Sequence, residues 1–386
     1  MLKSHPTIKK ALLLSGTFHI IILIIGIIIS VIKHTEILNY NFGWDSVWYQ
    51  NIIENWYIGT SESVIHSPVF YPLFPLSIFI LQKVTFNLVP LPILGTILNF
   101  LCTTAIVYYV IKICEALFPK SHKLPKTIII LFFTFHSAFF LQCFYSEALL
   151  IALGLASYYF AIQRKWGIMG VLLALTTAVR LPGLLFLGLC GLEFFRAYNY
   201  KIKKIFNKNL LWFFVAPLGI LIYMLYLWIA VGDPLAMFHA YSGSDWESYQ
   251  IFNPNIFLVY INYIQGFFTT LFAGNIKSAF IDFALPLYSI FMILAASIYA
   301  LVKKEKKFYP LAVFGFAAIV MFSLNSNLIS VNRYALSAIS QFFIIGKFYT
   351  DKETVPRKIL IGAFIIINLI ICAGAYYGFI TGEFVG

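Results

Sequence analysis

The chain has 386 residues, 61% of them hydrophobic and only 11% charged, with a formal net charge of +12 and a mean hydropathy of +0.87. A soluble globule cannot cover that much apolar area with so few charges, whereas a bilayer solvates it directly. The expected class is therefore all-α and polytopic: a single transmembrane domain over 1–386 without a detachable soluble module.

The positive charge does not read as a nucleic-acid surface. Lysine and arginine gather in short clusters between apolar spans: Lys3/Lys9/Lys10, Lys120/Lys123/Lys126, Arg164/Lys165, Arg196 through Lys208, Lys303 through Lys307, and Lys347 through Lys358. That is the positive-inside pattern, which sets orientation and needs no polyanionic partner. With these clusters cytoplasmic, residues 11–32 form a first outward helix, too long and uniform for a cleaved signal peptide.

Residues 33–69 then become a first external loop. In it Trp44, Trp48, Ile52 and Trp56 recur every four residues beside Tyr49 and Ile53, predicting an interfacial amphipathic helix with its aromatics at headgroup level. Asp45 stands at its start, either as an N-cap or as a working base. His66, before Ser67-Pro68, reads as a substrate ligand or a turn cap. Segment 71–86 would invert the parity of the later clusters if it crossed. It is expected to be re-entrant or juxtamembrane, entered through Pro68, Pro72 and Pro75.

Residues 91–113 return inward, 127–143 go out and 147–162 come back. Tyr145-Ser146-Glu147 lies between the last two, with Glu147 either a first-turn acid stabilised by the helix dipole or a second carboxylate facing the same cavity as Asp45. Segment 166–195 is basic at both flanks, so a broken hairpin turning at Arg180-Leu181-Pro182-Gly183 is expected. Arg180 lies deep in it, where an unpaired charge costs about 2.5–3.5 kcal/mol or more. It requires an acid or an anionic ligand.

Residues 210–230 go out to a second external loop, 231–265, whose Asp233, Asp245 and Glu247 read as solvated charges. Segments 279–302, 311–324, 335–348 and 359–380 complete the path. Arg333, in the external turn Asn332-Arg333-Tyr334, goes against the orientation rule. Its planar fork of donors suits a phosphate, whether of a substrate or of a lipid headgroup.

The five cysteines, Cys102, Cys114, Cys143, Cys190 and Cys372, lie in or beside apolar spans without metal spacing and read as small buried hydrophobes. The chain lacks a P-loop, a GxGxxG, an HExxH and a DxD pair, which disfavours nucleotide hydrolysis, zinc proteolysis and metal-dependent nucleotide-sugar transfer. No internal repeat is visible, which weighs against a secondary transporter.

Several stretches are similar in order and spacing to the PIG-V family of GPI mannosyltransferase II enzymes. Trp44-Asp45-Ser46 matches its W-D-S, Phe70-Tyr71-Pro72-Leu73-Phe74-Pro75-Leu76 its F-F-P-L-F-P-L, and Tyr145-Ser146-Glu147-Ala148-Leu149 its Y-S-E-S-L. Thr177 through Gly183 resembles T-x-x-R-x-x-G, Tyr263-Ile264-Gln265 resembles Y-I-Q, and Arg333-Tyr334 resembles a late R-Y. The family's Y-W-N-V-G-F run is absent, and Gly266-Phe267-Phe268 follows instead, so the chain resembles a shorter prokaryotic relative.

The resemblance implies a GT-C glycosyltransferase fold in a bacterial or archaeal membrane. It implies a polyprenyl- or dolichyl-phosphate sugar, usually mannose, as donor and a glycan, glycolipid or protein as acceptor, on the extracytoplasmic face. Asp45 would be the catalytic base, and Glu147, the second catalytic residue, would orient Asp45 or bind acceptor hydroxyls. Arg180 and Arg333 would meet the donor phosphate, and Trp44, Trp48, Tyr49, His66, Tyr145 and Tyr334 would line the substrate site. No metal or cofactor is expected, since a monophosphate offers no diphosphate to chelate. A transporter or lipid-linked sugar flippase is the alternative.

Overall fold

Apolar runs become helices because backbone in a lipid core must satisfy its own hydrogen bonds. A computed structural model describes residues 5–59, 66–240, 253, 255–383 and 385; Asp245 and Glu247 lie outside them. Its principal helices are α1 (His5–Lys33), α2 (Asp45–Asn55), α3 (Leu73–Val84), α4 (Leu91–Leu117), α5 (Leu124–Phe133), α6 (Glu147–Ile162) and α7 (Trp166–Thr177). They continue with α8 (Gly183–Ala197), α9 (Leu218–Val231), α10 (Ile256–Phe272), α11 (Leu285–Val302), α12 (Tyr309–Ser323), α13 (Ser340–Asp351) and α14 (Val355–Ile380). No strand occurs among the described residues.

Five spans are long and apolar enough to cross a membrane: Pro6–Lys33, Leu91–Leu117, Lys208–Val231, Ile276–Val302 and Val355–Ile380. Their outward faces carry large exposed side chains such as Ile20, Ile24, Ile229, Phe291 and Ile370, as expected of an integral membrane protein. Helix α3 has 12 residues and is about 18 Å long, well short of the ~30 Å hydrocarbon core.

Four of the basic clusters meet at one end of the bundle. Lys123 pairs with Glu353 at 2.7 Å, Lys303 with Asp351 at 3.7 Å, and Lys347 Nζ reaches Ser121 Oγ at 3.3 Å. The Tyr200 hydroxyl donates to the Lys306 carbonyl at 3.1 Å. Connectors far apart in sequence thus share one rim.

Two elements differ from the expectations. The span 127–143 is helical only to Phe133, and residues 134–146 run as irregular backbone, buried from Phe135 onward, apart from a short 3₁₀ turn. Neighbouring side chains supply the missing hydrogen bonds. Asn99 Nδ2 donates to the carbonyls of Cys143 at 2.5 Å and Tyr145 at 3.3 Å, Asn41 Nδ2 donates to Gln142 at 3.4 Å, and Asn368 Oδ1 accepts the His136 N–H at 3.1 Å. Second, the loop 231–265 contains the start of α10, held by Tyr263, whose hydroxyl accepts the Leu328 N–H at 2.8 Å.

Helix α2 turns Ser46, Tyr49, Ile52 and Ile53 inward, and Trp44, just before it, is 41% exposed. Residues 49, 52 and 53 follow the three- and four-residue spacing by which a helix presents one side to a core.

Candidate functional site

Side-chain and backbone ties bring the start of α2 against the start of α6. The Tyr49 hydroxyl donates to Ser146 Oγ at 2.8 Å, and the Phe144 N–H donates to the Asn41 carbonyl at 2.9 Å. Tyr145 closes the joint, its hydroxyl accepting the Asp45 N–H and facing the Gly43 carbonyl, each at 3.2 Å. Burial holds that phenol protonated, its pKa well above the usual tyrosine value. Trp44 caps α2 with φ 51° and ψ −112°, a costly backbone state for a residue with a Cβ.

Asp45 is the first residue of α2, an acid in its first turn, and the N-cap position is held by Trp44. The Asp45 Oδ2 accepts from Arg333 Nη1 at 2.7 Å and lies 3.6 Å from Arg180 Nη2. Glu147 Oε1 accepts from Arg180 Nη1 at 2.6 Å and lies 3.3 Å from Arg333 Nε. Two carboxylates and two guanidiniums, from positions spread over nearly three hundred residues, form one interlocked quartet.

The break between α7 and α8 delivers Arg180. The helix stops at Thr177 and resumes at Gly183, and the Ala178 carbonyl freed by the break accepts the Leu73 N–H of α3 at 3.1 Å. Gly183 sits so close to the preceding turn that a Cβ there would lie 2.3 Å from the Thr176 carbonyl oxygen. Arg180 lies over the Tyr334 ring at 4.9 Å and donates to its hydroxyl at 3.3 Å. Arg333 stacks on Tyr145 at 5.1 Å and Tyr334 at 5.3 Å. Burial disfavours its charge, but Asp45 and Glu147 more than offset this and raise its pKa well above the usual value.

The turn carrying Arg333 is fixed from behind by residues that sequence reasoning missed. The Arg333 N–H donates to Asn332 Oδ1 at 3.1 Å. The Asn332 carbonyl accepts from Ser137 Oγ at 3.0 Å and lies 3.2 Å from His136 Nε2. His136 Nδ1 donates to Asn368 Oδ1 at 2.9 Å, and Asn368 Nδ2 donates to the Tyr288 hydroxyl at 2.8 Å. Lone polar residues inside apolar runs, such as His136 and Asn368, are the signal that could have found them.

Exposure separates the roles within the quartet. The side chains of Glu147 and Arg333 are 3% and 4% exposed, those of Asp45 and Arg180 16% and 13%. Asp45 and Arg180 are thus the more accessible pair of the quartet, and Glu147 and Arg333 the more deeply buried pair. Glu147 Oε2 has no hydrogen-bond partner among the described residues.

No family model and no curated protein matches this chain. The remaining predicted residues divide by position. Tyr49 is 1% exposed and closed in by Phe70 and Phe74, so it offers no stacking face. Tyr145 is likewise a buried support. Trp48 stacks on Phe70 with ring centroids 5.8 Å apart. His66 Nδ1 donates to the Ala240 carbonyl at 2.6 Å, joining two connectors outside the quartet. Trp44, 41% exposed, adjoins Asp45 in the chain, and Tyr334 lies against both arginines. Among the described residues no group of three or more His, Cys, Asp or Glu is placed to hold a metal.

Proposed function

We propose that the chain is a membrane glycosyltransferase that moves a sugar, by the resemblance mannose, from a polyprenyl- or dolichyl-phosphate donor to an acceptor hydroxyl. The observation that carries this reading is the quartet: a partly exposed acid beside two guanidiniums that fit a phosphate. With the lysine rim cytoplasmic, as the orientation rule has it, the quartet lies extracytoplasmic, where nucleotide sugars are not available.

The chemistry balances charge within the site. At rest two carboxylates neutralise two arginines. As the acceptor oxygen bonds to the anomeric carbon, Asp45 takes the hydroxyl proton and the bond from that carbon to the phosphate oxygen breaks, inverting the centre. The lipid phosphate leaves with one further negative charge. Protonated Asp45 leaves Glu147 alone against Arg180 and Arg333, so the site gains one positive charge as the leaving group gains its negative one. Glu147 positions the two forks, and Trp44 and Tyr334 offer faces to the sugar.

The test is transfer from a polyprenyl-phosphate mannose by the purified protein. Asp45→Asn is expected to lower the rate by about 10²–10⁴. Transfer close to the parent rate by the folded variant removes Asp45 as base. Movement of the lipid-linked sugar across vesicles without transfer favours the flippase.

A further inference from the structure

The far end of α12 from the quartet carries a cleft that transfer does not use. Phe322, near one end of that helix, packs on Tyr334 with centroids 6.0 Å apart; Tyr309, at the other, lines the cleft. The 15 residues of α12 span about 22 Å, so cleft and quartet sit at opposite ends of the bundle. The cleft holds about 520 Å³ between Leu192 of α8, Tyr200, Leu301 and Lys304 at the end of α11, and Tyr309 and Val313 of α12.

Its walls are apolar and face outward, with Leu301 41% and Val313 42% exposed. Its rim is basic. Lys303, Lys304, Lys306 and Lys307 surround a single acid, Glu305, and the nearby acids are engaged elsewhere. Glu305 pairs with Lys307 at 3.2 Å, Glu193 with Arg196 at 2.5 Å, and Asp351 with Lys347 and Lys303. Lys304 ends the helix in a left-handed turn at φ 54° and has no acid partner among the described residues. An apolar slot open to the bilayer core, with an uncompensated lysine at headgroup depth, matches an acyl chain ending in an anionic phosphate. A zwitterionic headgroup brings its own cation to the same lysines and fits less well.

We propose that this cleft binds an anionic phospholipid, with an acyl chain along Leu192, Leu301 and Val313 and its phosphate at Lys304. The site is independent of the transfer reaction and stands or falls without it. The purified full chain is titrated with phosphatidylglycerol, phosphatidylcholine and soluble glycerol phosphate, and bound lipid is counted by native mass spectrometry alongside Tm. Phosphatidylglycerol is expected to be retained preferentially and to raise Tm, with glycerol phosphate inert. Lys304→Gln should cut phosphatidylglycerol retention about fivefold, the effect of one interfacial lysine, and leave phosphatidylcholine unchanged. Val313→Trp, which fills the slot, should reduce retention of both lipids. Equal retention of the two lipids overturns the proposal, as does undiminished phosphatidylglycerol binding by Lys304→Gln. A glycerol phosphate effect as large as that of the lipid assigns the lysines to a free anion and overturns it too.

Discussion

At one end of the bundle Asp45, Glu147, Arg180 and Arg333 lie almost out of reach of solvent, two negative groups against two positive. At the other, more than a dozen lysines and arginines crowd a rim with few acids, and several pairs, such as Lys123 with Glu353, are open to water. Buried charge has to be matched residue for residue, because an unpaired ion in a poor solvent costs several kcal/mol. Rim charge is solvated and cheap, so it can run to excess and serve orientation. A charge that survives in the interior therefore carries more information about chemistry than many at the surface.

Substitutions at the two ends should differ accordingly. Arg333→Gln leaves Asp45 and Glu147 facing only Arg180, and a loss of about 3–5 kcal/mol in stability is expected, read as a fall in Tm of the solubilised protein. A loss under 1 kcal/mol would place the quartet on the cheap side of the comparison. Asn368→Leu removes the acceptor of His136 without touching any charge. It should cost about 1–3 kcal/mol and, where transfer is measurable, weaken donor KM more than kcat through the loosened Arg333 turn. Gly183→Ala forces a methyl group against the Thr176 carbonyl and should cost about 1–3 kcal/mol; a variant as stable as the parent would show that the break can widen freely. Glu353→Gln, at the rim, should leave Tm unchanged within error.

Much of the architecture was legible because its signals are local. Apolar length marked the helices, and Arg180-Leu181-Pro182-Gly183 marked the break, since proline and a buried arginine are each intolerable in an unbroken lipid-facing helix. Asp45, Glu147 and Arg333 stood out as lone charges beside apolar runs. The end of α5 at Phe133 was not legible, because nothing within 127–143 stops a helix. The unwound backbone persists there through Asn41, Asn99 and Asn368, which arrive from elsewhere in the chain.

The order of the quartet along the chain bears on how the protein is made. Synthesis and membrane insertion proceed from the N-terminus, so Asp45 and Glu147 are in place before Arg180, and Arg180 before Arg333. A waiting carboxylate can take up a proton and sit neutral in a poor solvent, whereas a guanidinium cannot shed its charge. Each arginine thus arrives to find an acid already waiting for it, and no step of assembly requires a naked cation in the bilayer.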